Sequence, residues 1–544
     1  MYLTPMKWSR NLLERTQDRF GGVDRSGGAG DGSIFDMKNM SADRWPLLTT
    51  RHPRYWAEPV ANPNGMYIRP GVRAWVSGTT LWVNGAEAGQ VTPCRKIMVG
   101  LGDRIVIWPD KVCYDVSDGK LTALEAEWTG EAAFSDGTYA GEPALANTMT
   151  VAADLTGMFR VGDAVTVETD GGKRPAQIIR EIEWDEAAGK CALRFYEETW
   201  REFVEQQEDG TDGAGQRLNV TVRREVPDLE LVFEHNNRLW GAKGSTIRVC
   251  KLGDPTNWQV YDGLSTDSYE LELGTPGVIT GGCSYGGRPV FFKEHAIAKI
   301  YGDSPASWQL SQTESLGVEA GSSNSLAVAG DVLFYKSAAG IMAYSGGYPR
   351  CVSGELGEAR YRNATAGSDG VRYYVSMERI DGDWEVWCYD TRHGTWHPED
   401  GLDLFGFGRD SSLQAMDSRG MIITLGEALA PPEGARREEG LSSWVEFNDW
   451  TDGTMRKKGA GKLLVRLEAD KGTDLTLMIQ YDSTGVWYPI RTIKGGMVKG
   501  QVEIQIPLRR CDHYRLRING TGMARSGWTL HALTWRRYAG SNRT

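Results

Sequence analysis

The sequence predicts an all-β fold built around a β-propeller. The main observation is a phrase that recurs along the chain: an apolar strand, a short polar turn that usually carries Gly, and a second strand that ends in an aromatic residue. It occurs at residues 104–114, 231–240, 290–301, 332–344 and 373–389, and residues 413–424 would close the series. Hairpins repeated every few tens of residues are typical of propellers, because each small sheet buries its faces against its neighbours.

Composition supports many short strands. The chain has 67 Gly and 20 Trp among 544 residues, and Gly suits tight turns while aromatic residues fill pleated faces. The spacing of the phrase is irregular, however, and no Trp-Asp or Kelch signature marks each unit. Unrelated β-sandwiches would show the same alternation, so they stay open as an alternative to the propeller.

The pattern divides the chain into five segments. A Gly-rich stretch at residues 26–33 has no apolar pattern of its own, residues 8–15 suggest a short helix, and residues 462–535 mostly alternate with period two, as in a sandwich with one wet face per sheet. The predicted segments are an extended N-terminal arm (1–56), the first part of the propeller (57–144), an inserted small β-barrel (145–225), the remainder of the propeller (226–427) and a C-terminal, jelly-roll-like β-sandwich (428–544).

Net charge and hydropathy limit the possible partners. A net charge of −11 argues against a protein that grips nucleic acid through its phosphates, which requires Lys and Arg. It is compatible with a conduit that repels passing DNA, and equally with ordinary solubility. No stretch approaches the roughly 20 apolar residues of a membrane span. The first residues lack the pattern of a signal peptide, so we expect no membrane-spanning segment and no ordinary secretion.

Motifs for catalysis or metal binding are weak. The eight Cys include no Cys-x-x-Cys pair, which favours buried thiols in a reducing cytoplasm over zinc or disulfide sites. The closely spaced pair His393 and His397 lies in a turn with Gly between, and no nucleophile elbow, phosphate-binding loop or zincin motif occurs. Because a propeller can place two carboxylates in one pocket, a glycan-cleaving enzyme remains possible. We expect a protein that is not an enzyme and has no cofactor, no metal and no catalytic residues.

The N-terminal arm carries a family resemblance. Its phrases stand in the order Asn11-Leu12, Phe20-Gly-Gly-Val-Asp24, Asp36-Met-Lys-Asn-Met40, Pro46-Leu-Leu48 and Arg51-His-Pro-Arg54. This order resembles the start of tail nozzle proteins (tail hub, or tail tubular protein B-like, packaged-DNA stabilisation proteins) of short-tailed bacteriophages. Residues 233–241, the turn Asp254-Pro-Thr-Asn-Trp258 and residues 316–344 resemble later blades of the same proteins. The assembly residues that we infer from the arm are Phe20, Gly21, Gly22, Met37, Asn39, Trp45, Arg51 and Arg54.

The resemblance implies a structural virion protein, made in the bacterial host cytoplasm and located in the phage tail. Such a protein would form a ring, of six subunits by the same resemblance, that continues the channel of the portal and adaptor proteins, retains packaged DNA and conducts it during ejection. Its other partners would be tail fibres or a tail needle, and double-stranded DNA that passes without sequence-specific binding. The alternatives are a cell-surface propeller that binds or cleaves carbohydrate, and a distal tail protein of a long-tailed phage.

Overall fold

The computed structural model describes residues 12–538, apart from residues 58, 171, 197–198, 209–216, 429–430, 432–433, 452, 454, 456, 458, 497–498, 507–508 and 524–526. The chain forms two compact units, one of Met1–Arg73 with Val318–Thr544 and one of Ala74–Gly317. Among the described residues, none of the helices has the length and apolar character needed to cross a membrane.

The N-terminal arm is a series of short strands. They are β1 (Leu12–Gln17), β2 (Ile34–Lys38), β3 (Met40–Ser41), β4 (Leu48–Thr50) and β5 (Tyr55–Trp56). The predicted helix over residues 8–15 is wrong from Leu12 onward, because β1 pairs antiparallel with the last strand of the chain, Trp528–Tyr538. Residues 8–11 lie outside the described residues, as does Asn11 of the resemblance.

Small antiparallel sheets of four strands follow the arm. The first consists of β6 (Pro63–Arg69), β7 (Val72–Ser77), β8 (Thr80–Val83) and β9 (Ala86–Gln90), and the second of β10 (Ile97–Leu101), β11 (Arg104–Trp108), β12 (Val112–Asp115) and β13 (Lys120–Ala123). In both sheets each strand pairs with the next one along the chain, and in the second sheet the recurrent hairpin phrase at residues 104–114 predicts this pairing. The middle strands are the most buried, with Ile105, Val106 and Ile107 fully inside.

An insert interrupts the series after β13. It contains β14 (Ala126–Tyr139), β15 (Glu142–Val151), β16 (Ala164–Thr169), β17 (Gly172–Lys173), β18 (Gln177–Ile178), β19 (Glu181–Asp185), β20 (Lys190–Arg194), α1 (Arg201–Glu208) and β21 (Leu218–Arg224). The sequence places the start of the insert at residue 145. The structure differs, because β14 already pairs with β21 from Ala126 onward.

The sheet of the insert curls into a small β-barrel. Its order is β17, β16, β21, β14, β15, β20, β19. The short strand β18 pairs with β16, near the end of this order that is opposite β19. Since residues 177–185 run from β18 into β19, one stretch of chain bonds to both ends of the sheet: Ile179 N donates to Asp163 O, and Arg180 N donates to Arg194 O. The interior holds an apolar core of its own, which includes Phe134, Met149 and Trp200.

The propeller series then resumes. The next two sheets are β22 (Leu231–His235), β23 (Arg238–Lys243), β24 (Thr246–Val249) and β25 (Tyr269–Glu272), then β26 (Gly281–Tyr285), β27 (Arg288–Lys293), β28 (Ala296–Tyr301) and β29 (Gln309–Glu314), with a 3-10 turn at Pro305–Ser307. The turn between β22 and β23 uses Asn236 and Asn237, both at positive φ. Asn tolerates this conformation better than other residues with a side chain, which explains the Asn-Asn pair in the phrase.

Three more sheets of this kind lie in the other unit. They are β30 (Ala327–Ala329), β31 (Val332–Ser337), β32 (Gly340–Tyr344) and β33 (Arg350–Cys351); β34 (Tyr361–Ser368), β35 (Arg372–Arg379), β36 (Trp384–Asp390) and β37 (Thr395–Pro398); and β38 (Leu404–Arg409), β39 (Leu413–Asp417) and β40 (Ile422–Leu425), with 3-10 turns at Ser323–Ser325 and Gly354–Leu356. The third sheet is completed by β5 of the arm and by β41 (Arg436–Arg437). With these repeated blade-like sheets, the chain is an all-β protein of the propeller class, as the sequence predicts.

The C-terminal segment forms two facing sheets. Its strands are β42 (Gly440–Phe447), β43 (Gly459–Ala469), β44 (Thr473–Tyr481), β45 (Tyr488–Lys494), β46 (Lys499–Gln505), β47 (Tyr514–Met523) and β48 (Trp528–Tyr538). The arm contributes to both sheets: one has the order β2, β42, β47, β44, β45, and the other β3, β4, β48, β43, β46, with β1 also on β48. Burial alternates along β44, as expected for a strand with one face toward the core.

Candidate functional site: the arm clamp

The arm is anchored by apolar side chains that enter the core of its own unit. Phe20, Val23, Ile34, Met37 and Met40 are each at most 2% exposed. They join a cluster that includes residues of β34–β37 and of the C-terminal sandwich. Arm residues therefore fill a core that the sandwich and these blades share.

Gly22 brings the arm backbone against β37. The next residue, Val23, donates from its backbone N to Trp396 O at 2.9 Å. A Cβ atom at Gly22 would lie 2.5 Å from the backbone N and O of Trp396, which no real side chain tolerates, whereas one at Gly21 would meet nothing within 4 Å. The Gly-Gly pair thus has one position that requires Gly for close packing and one that does not.

Asn39, which follows β2, and Arg51, which follows β4, connect the arm to the start of the sandwich by hydrogen bonds. Asn39 has φ 56°, and its amide donates to Ser442 O at 2.8 Å. Arg51 Nε donates to Asn39 Oδ1 at 2.7 Å, and its guanidinium donates to both carboxylate oxygens of Glu438 at 2.8 and 3.0 Å. This bidentate geometry fixes position as well as charge.

Among the described residues of the arm, Arg54 is the most deeply buried cation. Its side chain is 2% exposed and donates to the carboxylates of Glu399 and Asp400, while its backbone N donates to Glu438 Oε2 at 3.2 Å. Burial alone would lower the pKa of Arg54, but Asp400 and Glu399 outweigh it and raise the pKa. Arg54 therefore stays charged, and both of its partners lie just after β37.

A second ion-pair group lies beside Arg54. Arg372 donates to Asp43 of the arm and, at 3.2 Å, to Asp390. Burial alone would raise the pKa of Asp390, but hydrogen bonds from Arg392 and Arg372 outweigh it and lower the pKa to about 2. Asp43 also has a lowered pKa, since burial is outweighed by Arg372. We call the contacts of Asp43, Arg51, Arg54, Arg372, Asp390, Glu399, Asp400 and Glu438 the arm clamp.

Two histidines complete the surroundings of the arm clamp. Trp45, which is 40% exposed, stacks on His393 with ring centroids 4.4 Å apart. His397 is buried, its Nε2 lies 3.0 Å from Thr395 Oγ1, and burial lowers its pKa to about 4. A cavity of about 20 Å³ lies between His397, Arg54 and Arg372, which is room for about one water molecule.

The chemistry of the arm clamp suits a structural contact. Each of its five carboxylates contacts one of its three arginines, so the charged groups hold one another in position. Removing one partner of a buried ion pair typically costs about 3–5 kcal/mol, because the other charge remains buried without compensation. The arrangement therefore holds the arm, the blade of β34–β37 and the first strand of the sandwich in one geometry.

The structure places seven of the eight sequence-predicted assembly residues in contacts within this chain, and at the eighth, Gly21, an added Cβ would meet nothing within 4 Å. Phe20 and Met37 lie in the core, Gly22 passes β37, Trp45 stacks on His393, and Asn39, Arg51 and Arg54 belong to the polar contacts. The sequence left open whether the arm is pinned to its own chain or to a neighbour. These contacts pin it to its own chain, and pinning to a neighbour stays a prediction. Sequence reasoning missed the other six members of the arm clamp, since no local motif marks them: Asp43, Arg372, Asp390, Glu399, Asp400 and Glu438.

Two other groups have chemistry that bears on ligands. Asp482, Asp512 and His513 offer possible metal-ligand atoms within 4.8 Å of one another at the sandwich surface. An open cleft of about 980 Å³ lies between the β31–β32 hairpin and the start of β34. At this cleft Lys336 Nζ donates to Glu319 Oε2 at 2.6 Å, so its most buried cation is already paired.

Comparisons with known proteins identify no family. No family model and no curated protein matches the chain. Among solved structures, BamB from Moraxella catarrhalis is 12% identical with TM-score 0.33, over 70% of this chain and 100% of that chain. Virginiamycin B lyase from Staphylococcus aureus is 7% identical with TM-score 0.23 (56% and 99%), and exo-beta-1,3-galactanase from Phanerochaete chrysosporium is 10% identical with TM-score 0.20 (88% and 96%). Likeness this low carries no argument about activity.

Proposed function

We propose that this chain is a structural virion protein, the nozzle of a short phage tail, which forms a ring around the path of the DNA. The observation that carries the proposal is the arm. Of the phrases whose order resembles the nozzle family, the last supplies Arg51 and Arg54 to the arm clamp, Asn39 contacts Arg51, and Phe20 and Met37 enter the core of the same unit. A shared structural role for these phrases is what the resemblance requires.

In this proposal the arm acts as a brace. It supplies strands to both sheets of the sandwich and to the sheet of β38–β40, so one continuous segment crosses several parts of its unit. A wall built this way resists separation of its parts under load, since apolar burial and buried ion pairs must be lost together. The net charge of −11 would keep passing DNA from adhering.

The test is the assembly state. The purified chain, alone and mixed with portal and adaptor proteins of a short-tailed phage, is imaged by electron microscopy. Rings with an open axial channel, six-fold by the resemblance, are the expected result. Persistent monomers that join no portal or adaptor ring would overturn the proposal. If such monomers also bound glycans on an array, the cell-surface carbohydrate protein would become the better explanation.

A further inference from the structure

The insert is fixed to the blade of β22–β25 by a buried polar latch. Asp163 of the insert is fully buried and accepts hydrogen bonds from Arg224 at 2.5 Å and from Asn257 at 2.9 Å. Asn257 Oδ1 in turn accepts from Ala164 N at 3.0 Å. The turn at residues 254–258, which the resemblance singled out, is therefore the support on which the insert is mounted.

Exposed apolar side chains gather where the insert meets this blade. Gly162 O accepts from Lys251 Nζ at 3.5 Å, and Leu252 N donates to Thr266 O at 2.9 Å, so the loops on either side of the latch lie together. Each loop presents large apolar residues that are between 43% and 59% exposed. We call this group the junction patch: Val161, Tyr196, Leu252, Tyr261 and Leu264.

The junction patch is held in place before any partner arrives. Asp262 accepts from Arg180 and from the Tyr196 hydroxyl, both at 2.7 Å, and Arg180 also stacks on the Tyr196 ring at 3.8 Å. Leu264 N donates to the buried carboxylate of Asp267 at 3.0 Å. Aromatic and apolar residues that are exposed yet held in place on a surface are typical of protein-docking sites, since little ordering entropy remains to be lost.

Charge identifies the kind of partner. Residues 126–224 contain 19 acidic and 10 basic residues, so they carry −9 of the net charge of −11. Most of the basic side chains are already paired, among them Arg194 with Glu181 and Glu183. Arg180, which stacks on the junction patch, leads directly into β19, whose acidic residues Glu181, Glu183 and Asp185 alternate with apolar ones. The strand β19 therefore places acidic side chains directly after Arg180, beside the patch.

We propose that the junction patch docks a basic, extended segment of a different protein. Apolar side chains of that segment would cover Tyr261 and Leu264, while its Lys or Arg residues would face the acidic strand β19. A second copy of this chain fits less well, because a symmetric contact would bring two acidic inserts together. The inference stands on the insert and its blade, and it holds whether or not the chain forms a ring.

The probe for this proposal is a fluorescein-labelled decapeptide in which lysine alternates with leucine and tyrosine. A second labelled peptide, with glutamate in place of each lysine, is the control. Anisotropy is measured with the full chain at low salt and again at high salt. We expect the lysine peptide to bind and to weaken with salt, and the glutamate peptide not to bind. The double variant Tyr261→Ser/Leu264→Ser should weaken binding of the lysine peptide at least about tenfold, as for central interface residues.

A matched control separates specific docking from general attraction. Val278 and Tyr348 are also strongly exposed, at 57% and 79%, and lie outside the junction patch. The variant Val278→Ser/Tyr348→Ser should bind the lysine peptide as the wild type does. Equal weakening in both double variants, or no binding of the lysine peptide, overturns the proposal. So does a wild-type oligomer in sedimentation velocity that Tyr261→Ser/Leu264→Ser dissociates, since the occupant would then be a second copy.

Discussion

His397 lies buried beside the arm clamp, and burial lowers the pKa of its imidazole to about 4, from an ordinary value of 6.5. Its charged surroundings are Asp390, Arg372, Asp43 and His393. Because the pKa is lower in the folded state, the unfolded chain binds more protons between pH 6.5 and pH 4. Stability must therefore fall as the pH drops through this window, and it loses nothing further from His397 below pH 4.

We predict that His397→Asn flattens the pH dependence of stability in this window. For the wild type, the two pKa values correspond to a loss of about 3 kcal/mol in the free energy of unfolding between pH 6.5 and pH 4. The measurement is the thermal unfolding midpoint of both proteins across that range. Asp390, with a pKa of about 2, contributes stability that is lost only as the pH falls from its ordinary 3.8 toward 2, so it acts in a lower window. Parallel pH profiles of the two proteins would contradict the prediction.

Single residues of the arm clamp show what one sequence reveals and what it hides. The family resemblance of the arm phrases pointed to Arg51 and Arg54, which fill the place of its Arg- and Pro-rich turn. Their partners could not be found, since Arg54 and Glu399 are separated by 345 residues and Arg51 and Glu438 by 387. Such pairs depend on the tertiary fold, and neither carboxylate lies in a pattern of its own.

At the scale of elements, the arm depends on one close approach to β37. Gly22 lies against the backbone of Trp396, where a Cβ would be 2.5 Å from two main-chain atoms, and Gly21 faces open space. Main-chain atoms of β37, which is hydrogen-bonded to β36, cannot move aside as the end of a flexible side chain could. The cost of a methyl group at Gly22 is therefore expected to appear as displacement of the arm.

We predict that Gly22→Ala loosens the arm and that Gly21→Ala does not. Overpacking of this kind typically costs about 1–3 kcal/mol. The measurement is limited proteolysis of the arm, read by mass spectrometry, together with the thermal unfolding midpoint. Faster cleavage around residues 20–40 and a lower midpoint are expected for Gly22→Ala alone. If the two Ala variants behave alike, the packing argument fails.

The strands themselves were largely predictable, and the limits of the insert were not. Residues 104–108, 231–233 and 332–335 all fall within strands β11, β22 and β31, because period-two burial is a local property. β14 alternates in the same way, so its sequence cannot tell a blade strand from the first strand of an insert. Pairing with β21, which begins about ninety residues later, makes the difference, and that pairing is not local.

For the whole molecule, most of the net negative charge lies in the insert. The insert carries −9 of the net charge of −11, which leaves the remaining residues close to neutral. It also has its own apolar core, separate from the cores of the neighbouring blades. The acidic character that the sequence suggested for a DNA conduit is thus mostly a property of the insert. Any electrostatic role of the chain is therefore expected to depend on where the insert faces in an assembly.

The insert should be removable without loss of the propeller sheets. Its first and last residues, Ala126 and Arg224, are partners across β14 and β21, so a short Gly-Ser linker can span the gap. The latch residue that the blade supplies, Asn257, is polar and would be hydrated once exposed. We predict that the chain with residues 126–224 replaced by this linker folds and keeps its β circular dichroism. It should also elute from an anion exchanger at clearly lower salt than the full chain.

Removal of a blade provides the contrasting case. Residues 281–314 form one sheet of the propeller, and a blade buries its faces against its neighbours, so the same linker in their place should leave those faces exposed. This shorter deletion is expected to give an insoluble or unfolded protein, although it removes about a third as many residues. Aggregation after removal of the insert would mean that the propeller sheets need the insert. A soluble, folded product from the blade deletion would mean that this sheet does not bury its faces against its neighbours. Size-exclusion chromatography and circular dichroism of the two deletions decide between these arrangements.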